Sequence, residues 1–240
     1  MNYVIIIAVV FALVAVFSLI KKRFLAAGLW LVIGLGVYLL TNSIMAPIEF
    51  NEVRDARYAK IFRSLEAIGD VEKLYRSSKG EFAKTFDQLY SFIENDSVYL
   101  TQTREEKVKE YSKIYRITIE KEIKVTDTVA VVPVLEHLKK NYEKFAAYVE
   151  THGDYKNLKY VPGLPEGEVK EYSINAGSVE RGKNTVAVFE VSVKKADVLA
   201  DQNPDLVANE CAAVVGVKGD VIKIGDMLVP TTEGNWGKEE

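Results

Sequence analysis

Residues that could do chemistry are few in this chain, and the most suggestive run is Gly177-Ser-Val-Glu-Arg-Gly182-Lys183-Asn184. It follows the phosphate-cradling P-loop pattern up to the last position. A P-loop needs Ser or Thr after the lysine to hold magnesium, and a helix whose first amides face the phosphate. Here Asn184 replaces the hydroxyl, and the β-prone run Thr185 to Val193 replaces the helix. The run is therefore predicted to be a glycine-punctuated hairpin turn.

Histidine chemistry would have to draw on His137 and His152, 15 residues apart and outside any metal-ligand spacing. His152, just before Gly153, is placed to satisfy the last carbonyls of a helix, and His137 reads as a surface or boundary residue. Neither Ser173 nor Ser178 sits in a nucleophile elbow. Cys211 is the only cysteine, so no intramolecular disulfide forms, and its apolar setting predicts a buried thiol. Carboxylates are plentiful but scattered, and sequence alone pairs none of them for acid–base work. The sequence thus predicts no catalytic residue, cofactor or metal site and no identifiable small molecule.

The elements that would position any site begin with two apolar runs, Tyr3 to Ile20 and Phe24 to Thr41, separated by Lys21, Lys22 and Arg23. Each holds 18 residues without a charge. At about 1.5 Å of rise per residue each covers about 27 Å, close to a hydrocarbon core. A transmembrane helical hairpin over 1–46 is predicted. Lys21, Lys22 and Arg23 mark its turn as cytoplasmic, which places the rest of the chain across the inner (plasma) membrane, in the periplasm or outside. The first run lacks a basic leader and a small-x-small site, so it is expected to be retained. Gly34 and Gly36 would let the two helices approach closely.

About 195 residues follow the hairpin, enough for one ordinary domain or two small ones. The whole chain carries −3; setting aside Lys21, Lys22, Arg23 and Glu49, which together carry +2, leaves −5 for the exported part. A mildly acidic domain has no electrostatic footprint for nucleic acid or for an anionic membrane surface.

Pro47 predicts a break in the helix leaving the membrane. From Asn51 to Ser78 the residues Tyr58, Ile61, Leu65, Ile68 and Tyr75 recur at helical spacing, for packing or docking, and Gly80 closes the helix. Thr85 is predicted to cap a short helix to Glu94. The segment 47–113 thus reads as helical. Within 114–240, Tyr115 to Val125 alternates as a strand or hairpin, and Val129 to Val132 is a second strand candidate. Leu135, Leu138, Tyr142, Phe145 and Val149 describe one helix closed by Gly153. Val169 to Ala176 with Thr185 to Val193 form a hairpin, Asn203-Pro204-Asp205 opens a helix, and Val221 to Ile224 is the last strand. Trp236 either folds back or stays loose.

The long helix, Leu74-Tyr75, Gly80-Glu81-Phe82 and the short helix ending near Ile93 resemble the stretch after the stalk in type IV pilin and pseudopilin subunits. Those subunits have one span, preceded by a processing site with glycine before it and glutamate after; here the first glycine is Gly28. A wider resemblance runs through Arg57-Tyr58, Gly80-Glu81-Phe82 with Phe86-Asp87-Gln88-Leu89, Asn95-Asp96-Ser97, Ala176-Gly177, Val188-Phe189-Glu190 and Gly234-Asn235-Trp236. With the two spans, this order is similar to a family of uncharacterised envelope proteins of Bacteroidota, which implies a location rather than a reaction. The sequence therefore predicts an α+β exported domain with an antiparallel sheet behind a membrane hairpin. The expected function is non-enzymatic binding to a protein partner or to itself, as an assembly scaffold. A ligand sensor acting through a partner and a pilin-like subunit are the alternatives.

Overall fold

The computed structural model describes residues 24–112, 117–165, 167–182 and 184–237, with Val9, Phe11, Leu13, Val14 and Val16 ahead of them. Lys21, Lys22 and Arg23 and most of the expected first span, Tyr3 to Ile20, lie outside the described residues, so one candidate membrane helix is described rather than the expected hairpin. The spine is α1 (Phe24–Lys79), 56 residues in one helix, about 84 Å long at helical rise. Its first half bears apolar side chains outward on every side, among them Leu29, Val32, Leu35, Leu40 and Ile44, each at least 60% exposed. This is one helix long and apolar enough to cross a membrane. Phe11 packs against it, its ring 5.9 Å from Trp30 and its Cβ 3.0 Å from where a Cβ on Gly34 would stand.

The expected break at Pro47 does not occur, because the proline lies inside the continuous helix. Only the Ser43 carbonyl loses its intrahelical donor. On one side lies the apolar half long enough to cross a membrane, whose backbone would have to keep its bonds internal there, and on the other Phe50 already enters the core at 6% exposure. Both neighbours hold the helix through the proline.

From Phe50 to Lys79 one stripe of α1 is buried, and the rest of the chain wraps it. Gly80, at φ +84°, ends the helix. Thr85 caps α2 (Phe86–Asn95), its hydroxyl accepting from the Gln88 amide. Then come β1 (Ser97–Ser112) and β2 (Ile117–Pro133), paired antiparallel from Ser97 opposite Pro133 to Ser112 opposite Ile117. The two strand candidates from the sequence are thus one strand, with a bulge beside Val129 where the register shifts. β1 corrects the helical reading of 47–113. From Thr101 to Lys107 its residues are polar on both faces, and the period that marks a half-buried strand is absent there for that reason.

Next, α3 (Val134–Asn141) and α4 (Glu143–His152) replace the single expected helix, the chain breaking at Tyr142 with ψ 96°. Asn141 turns its side-chain amide onto the His137 carbonyl at 3.1 Å. The break lets Val134 and Leu138 face one part of the core, and Phe145 and Tyr148 another. β3 (Ser173–Arg181), β4 (Asn184–Lys194) and β5 (Val221–Gly225) form an antiparallel sheet in that order. Val169, expected to open β3, lies ahead of the strand and is 71% exposed. The short α5 (Lys195–Val198) and α6 (Pro204–Cys211) connect β4 to β5, with Asn203 capping α6. The observed class is mixed helix and antiparallel sheet.

Sheet and spine meet without a gap because Gly69 has no side chain; a Cβ there would stand 2.7 Å from Ile224 Cδ1. The C-terminal segment folds back. Asn235 hydrogen-bonds both ways with the Lys223 backbone at 3.0 Å, and Trp236 stacks on Phe62 with centroids 4.4 Å apart.

Candidate functional site

Tyr58, Ile61, Leu65 and Ile68 are the centre of the core, between 0% and 5% exposed. They pack within the chain and leave no face for docking. Around them three polar features lie on or inside the same helix.

Nearest the outward-apolar half of α1, Glu210 at the end of α6 gathers three donors. Arg54 Nη1 reaches its Oε2 at 3.0 Å, while Lys195 Nζ and Tyr58 OH reach its Oε1 at 3.2 and 3.3 Å. Lys195 is fully buried and also donates to the Glu210 and Val217 carbonyls, at 2.7 and 2.8 Å. A buried ammonium is tolerated only with this many acceptors. Burial and the Glu210 carboxylate push the Tyr58 phenol far above its ordinary range. One turn on, Arg57 forms a fork with Asp201, Nη2 to Oδ2 at 2.8 Å, and holds that carboxylate down at about 2. Together these contacts fasten α5 and α6 to the spine.

Higher on α1, Glu72 is fully buried. Its Oε2 accepts from the Ala83 amide at 3.0 Å, whereas Oε1 has no partner. Burial pushes its carboxyl up to about 8, so it holds a proton at neutral pH. Between the two features, Ser64 Oγ and Tyr172 OH are buried without a well-formed hydrogen bond, and burial raises the Tyr172 phenol. These groups are dispersed along the spine and line no shared cleft.

The sequence's other candidates scatter as well. Gly177 to Asn184 is the end of the β3–β4 hairpin, with Gly182 at φ +63° in its turn; no helix follows. His152 Nδ1 stands 3.0 Å from the Tyr148 carbonyl at the end of α4, capped by Gly153 at φ +74°. His137 pairs with Asn141 on the surface. Cys211, expected to be buried, is half-exposed because it is the last residue of α6. Among the described residues no group of three His, Cys, Asp or Glu is placed to hold a metal.

What stands apart is the β1–β2 arm. Its strands of 16 and 17 residues extend about 50 Å at strand rise, and they form a sheet of two strands only. Beyond the bulge the described side chains are exposed on both faces, Val125 alone being half-buried. Cross-strand charge fixes the register: Glu105 lies opposite Lys124, and Lys107 opposite Glu122 with their charged ends 3.6 Å apart. Near the base, Tyr99 and Val131 are paired and remain 67% and 57% exposed. The arm starts from the far end of α1, where Asp96 binds Lys79 at 2.7 Å. That is about 45 Å of helical rise beyond the last lipid-like surface. No family model matches the chain, and neither the curated proteins nor the solved structures contain a match.

Proposed function

We propose that this chain is a non-enzymatic envelope protein, anchored in the inner membrane by two spans, whose arm docks onto a protein partner in an assembly. The arm carries the reading. A two-stranded ribbon is marginally stable alone, and its outer edges present rows of backbone donors and acceptors with no further strand beside them among the described residues. Such an element is suited to adding a strand from another chain, with main-chain bonds giving affinity. The spine is suited to presenting it, since one rigid helix joins the membrane to the body that holds the arm.

The second span is supported by the packing of Phe11 on Trp30 and Gly34. Orientation rests on Lys21, Lys22 and Arg23, which would form the cytoplasmic turn and leave the domain in the periplasm or outside. This location agrees with the resemblance to two-span envelope proteins of Bacteroidota.

The test is crosslinking in intact cells. Residues 103–126 are replaced by Asn-Gly, a two-residue hairpin turn that leaves the base of the arm and the body intact. The intact protein is expected to yield a discrete crosslinked product that the shortened protein loses while staying in the membrane fraction. The same product from both proteins would contradict the reading.

A further inference from the structure

Resting on that reading of the arm, we infer that its partner is a second copy of this chain. The free edge of β1 pairs antiparallel with itself, with Lys107 on the two-fold axis.

Among the described residues the outer edge of β1 has no strand beside it, its sheet neighbour being β2. In an antiparallel pair, opposed residues either both exchange hydrogen bonds across the pair or both point them away. Beyond the bulge β1 pairs regularly from Thr101 to Ser112, so successive residues there alternate between pointing toward β2 and pointing outward. Two copies of the edge can then oppose only residues whose numbers differ by an even amount. The two-fold axis must pass through a residue, not between two.

Charge selects the residue. The run is Arg104-Glu105-Glu106-Lys107-Val108-Lys109-Glu110. With the axis at Lys107, Arg104 lies opposite Glu110 of the second copy and Glu105 opposite its Lys109. Each pair occurs twice by symmetry, giving four attractive juxtapositions, and Glu106 meets Val108. Moving the axis to Glu106 leaves two attractive pairs and sets Glu106 against itself. Moving it to Val108 sets Glu106 against Glu110 and Lys107 against Lys109. Opposed charges of unlike sign stabilise a sheet and like charges destabilise it, so one register is favoured.

The two lysines on the axis are each compensated. Lys107 already has Glu122 of its own chain at 3.6 Å, and of its two diagonal neighbours on the second copy Glu105 is acidic, while the other, Lys109, lies directly opposite Glu105. The product is a four-stranded sheet, β2-β1-β1-β2, in which the ribbon gains the further strands that stability in water requires.

The test uses the full chain in mild detergent, with Cys211→Ala as background. Opposed Cα atoms in an antiparallel pair are about 4.5–5.5 Å apart, within disulfide reach. Lys107→Cys should form a covalent dimer on mild oxidation, and the background protein should run at twice the chain mass. Glu105→Cys and Lys109→Cys chains should crosslink when mixed and not when oxidised separately. Glu122→Cys, on the other strand, should stay uncrosslinked. Lys107→Cys remaining a single chain, or Glu122→Cys linking as readily, overturns the inference. If Lys107→Cys stays single while shortening the arm still releases a different protein, homotypic pairing falls and the docking role stands. If shortening the arm releases nothing, both fall.

Discussion

At the scale of single residues, two ionisable side chains inside the core govern how the domain responds to pH and mutation. Glu72 has a folded carboxyl pKa near 8 against an ordinary 4.5. The folded state binds the proton more tightly, so Glu72 favours folding most below pH 4.5, and that advantage is lost as pH rises toward 8. At about 1.4 kcal/mol per unit of pKa, the swing is up to a few kcal/mol. Thermal unfolding of the full chain should therefore fall in midpoint between pH 5 and 8, and Glu72→Gln should flatten the fall and raise the midpoint at pH 8. An unchanged slope in Glu72→Gln would contradict this assignment. Lys195 gives the opposite experiment: Glu210→Ala removes an acceptor from a buried ammonium and is expected to cost about 3–5 kcal/mol in chemical denaturation, with Arg54 and Tyr58 losing their partner as well. Both positions were legible. Glu72 continues the stripe Ile61, Leu65, Ile68 at helical spacing, and Lys195 continues the inward phase of Phe189, Val191 and Val193. A charge in a buried phase is the signal, and hydrophobic pattern alone passes over it.

At the scale of elements, local chemistry was read well where one residue decides the backbone. Thr85, Asn203, Gly80 and Gly153 start or stop helices as their side chains, or lack of one, require. Elements decided by their surroundings were read poorly. Pro47 fails to break α1 because both flanks are held independently, and β1 hides because solvent reaches both of its faces. The stripe from Tyr58 to Ile68 was legible as a packing face, but periodicity does not say whether the covering surface is the chain's own. Here it is, so Leu65→Ala should destabilise the domain by about 2–5 kcal/mol, measured by denaturant unfolding. A folded Leu65→Glu would contradict the core assignment. The tail also has an element's weight. A Cβ at Gly234 would run into the Trp236 ring, so Gly234→Ala should release the stacking on Phe62, read as a red shift and increased quencher access of the Trp236 emission in a Trp30→Phe background. Unchanged emission would show that the tail does not clasp the spine.

At the scale of the whole molecule, the chain is a lever built on one helix. Its lower half bears apolar side chains outward and is long enough to cross a membrane, its middle is the core of a small domain, and its upper end holds an arm about 50 Å long. The long apolar surface was the plainest message in the sequence. Of the arm, which carries the proposed function, β2 was announced by its period-two alternation, whereas β1 was silent because its charges serve cross-strand pairing rather than burial. The most direct test is the particle mass of the protein purified from its own membrane in mild detergent, measured with the arm intact and with residues 103–126 replaced by Asn-Gly. The account predicts a multi-chain particle that falls to the mass of one chain plus detergent when the arm is shortened. The same mass for both proteins would contradict it.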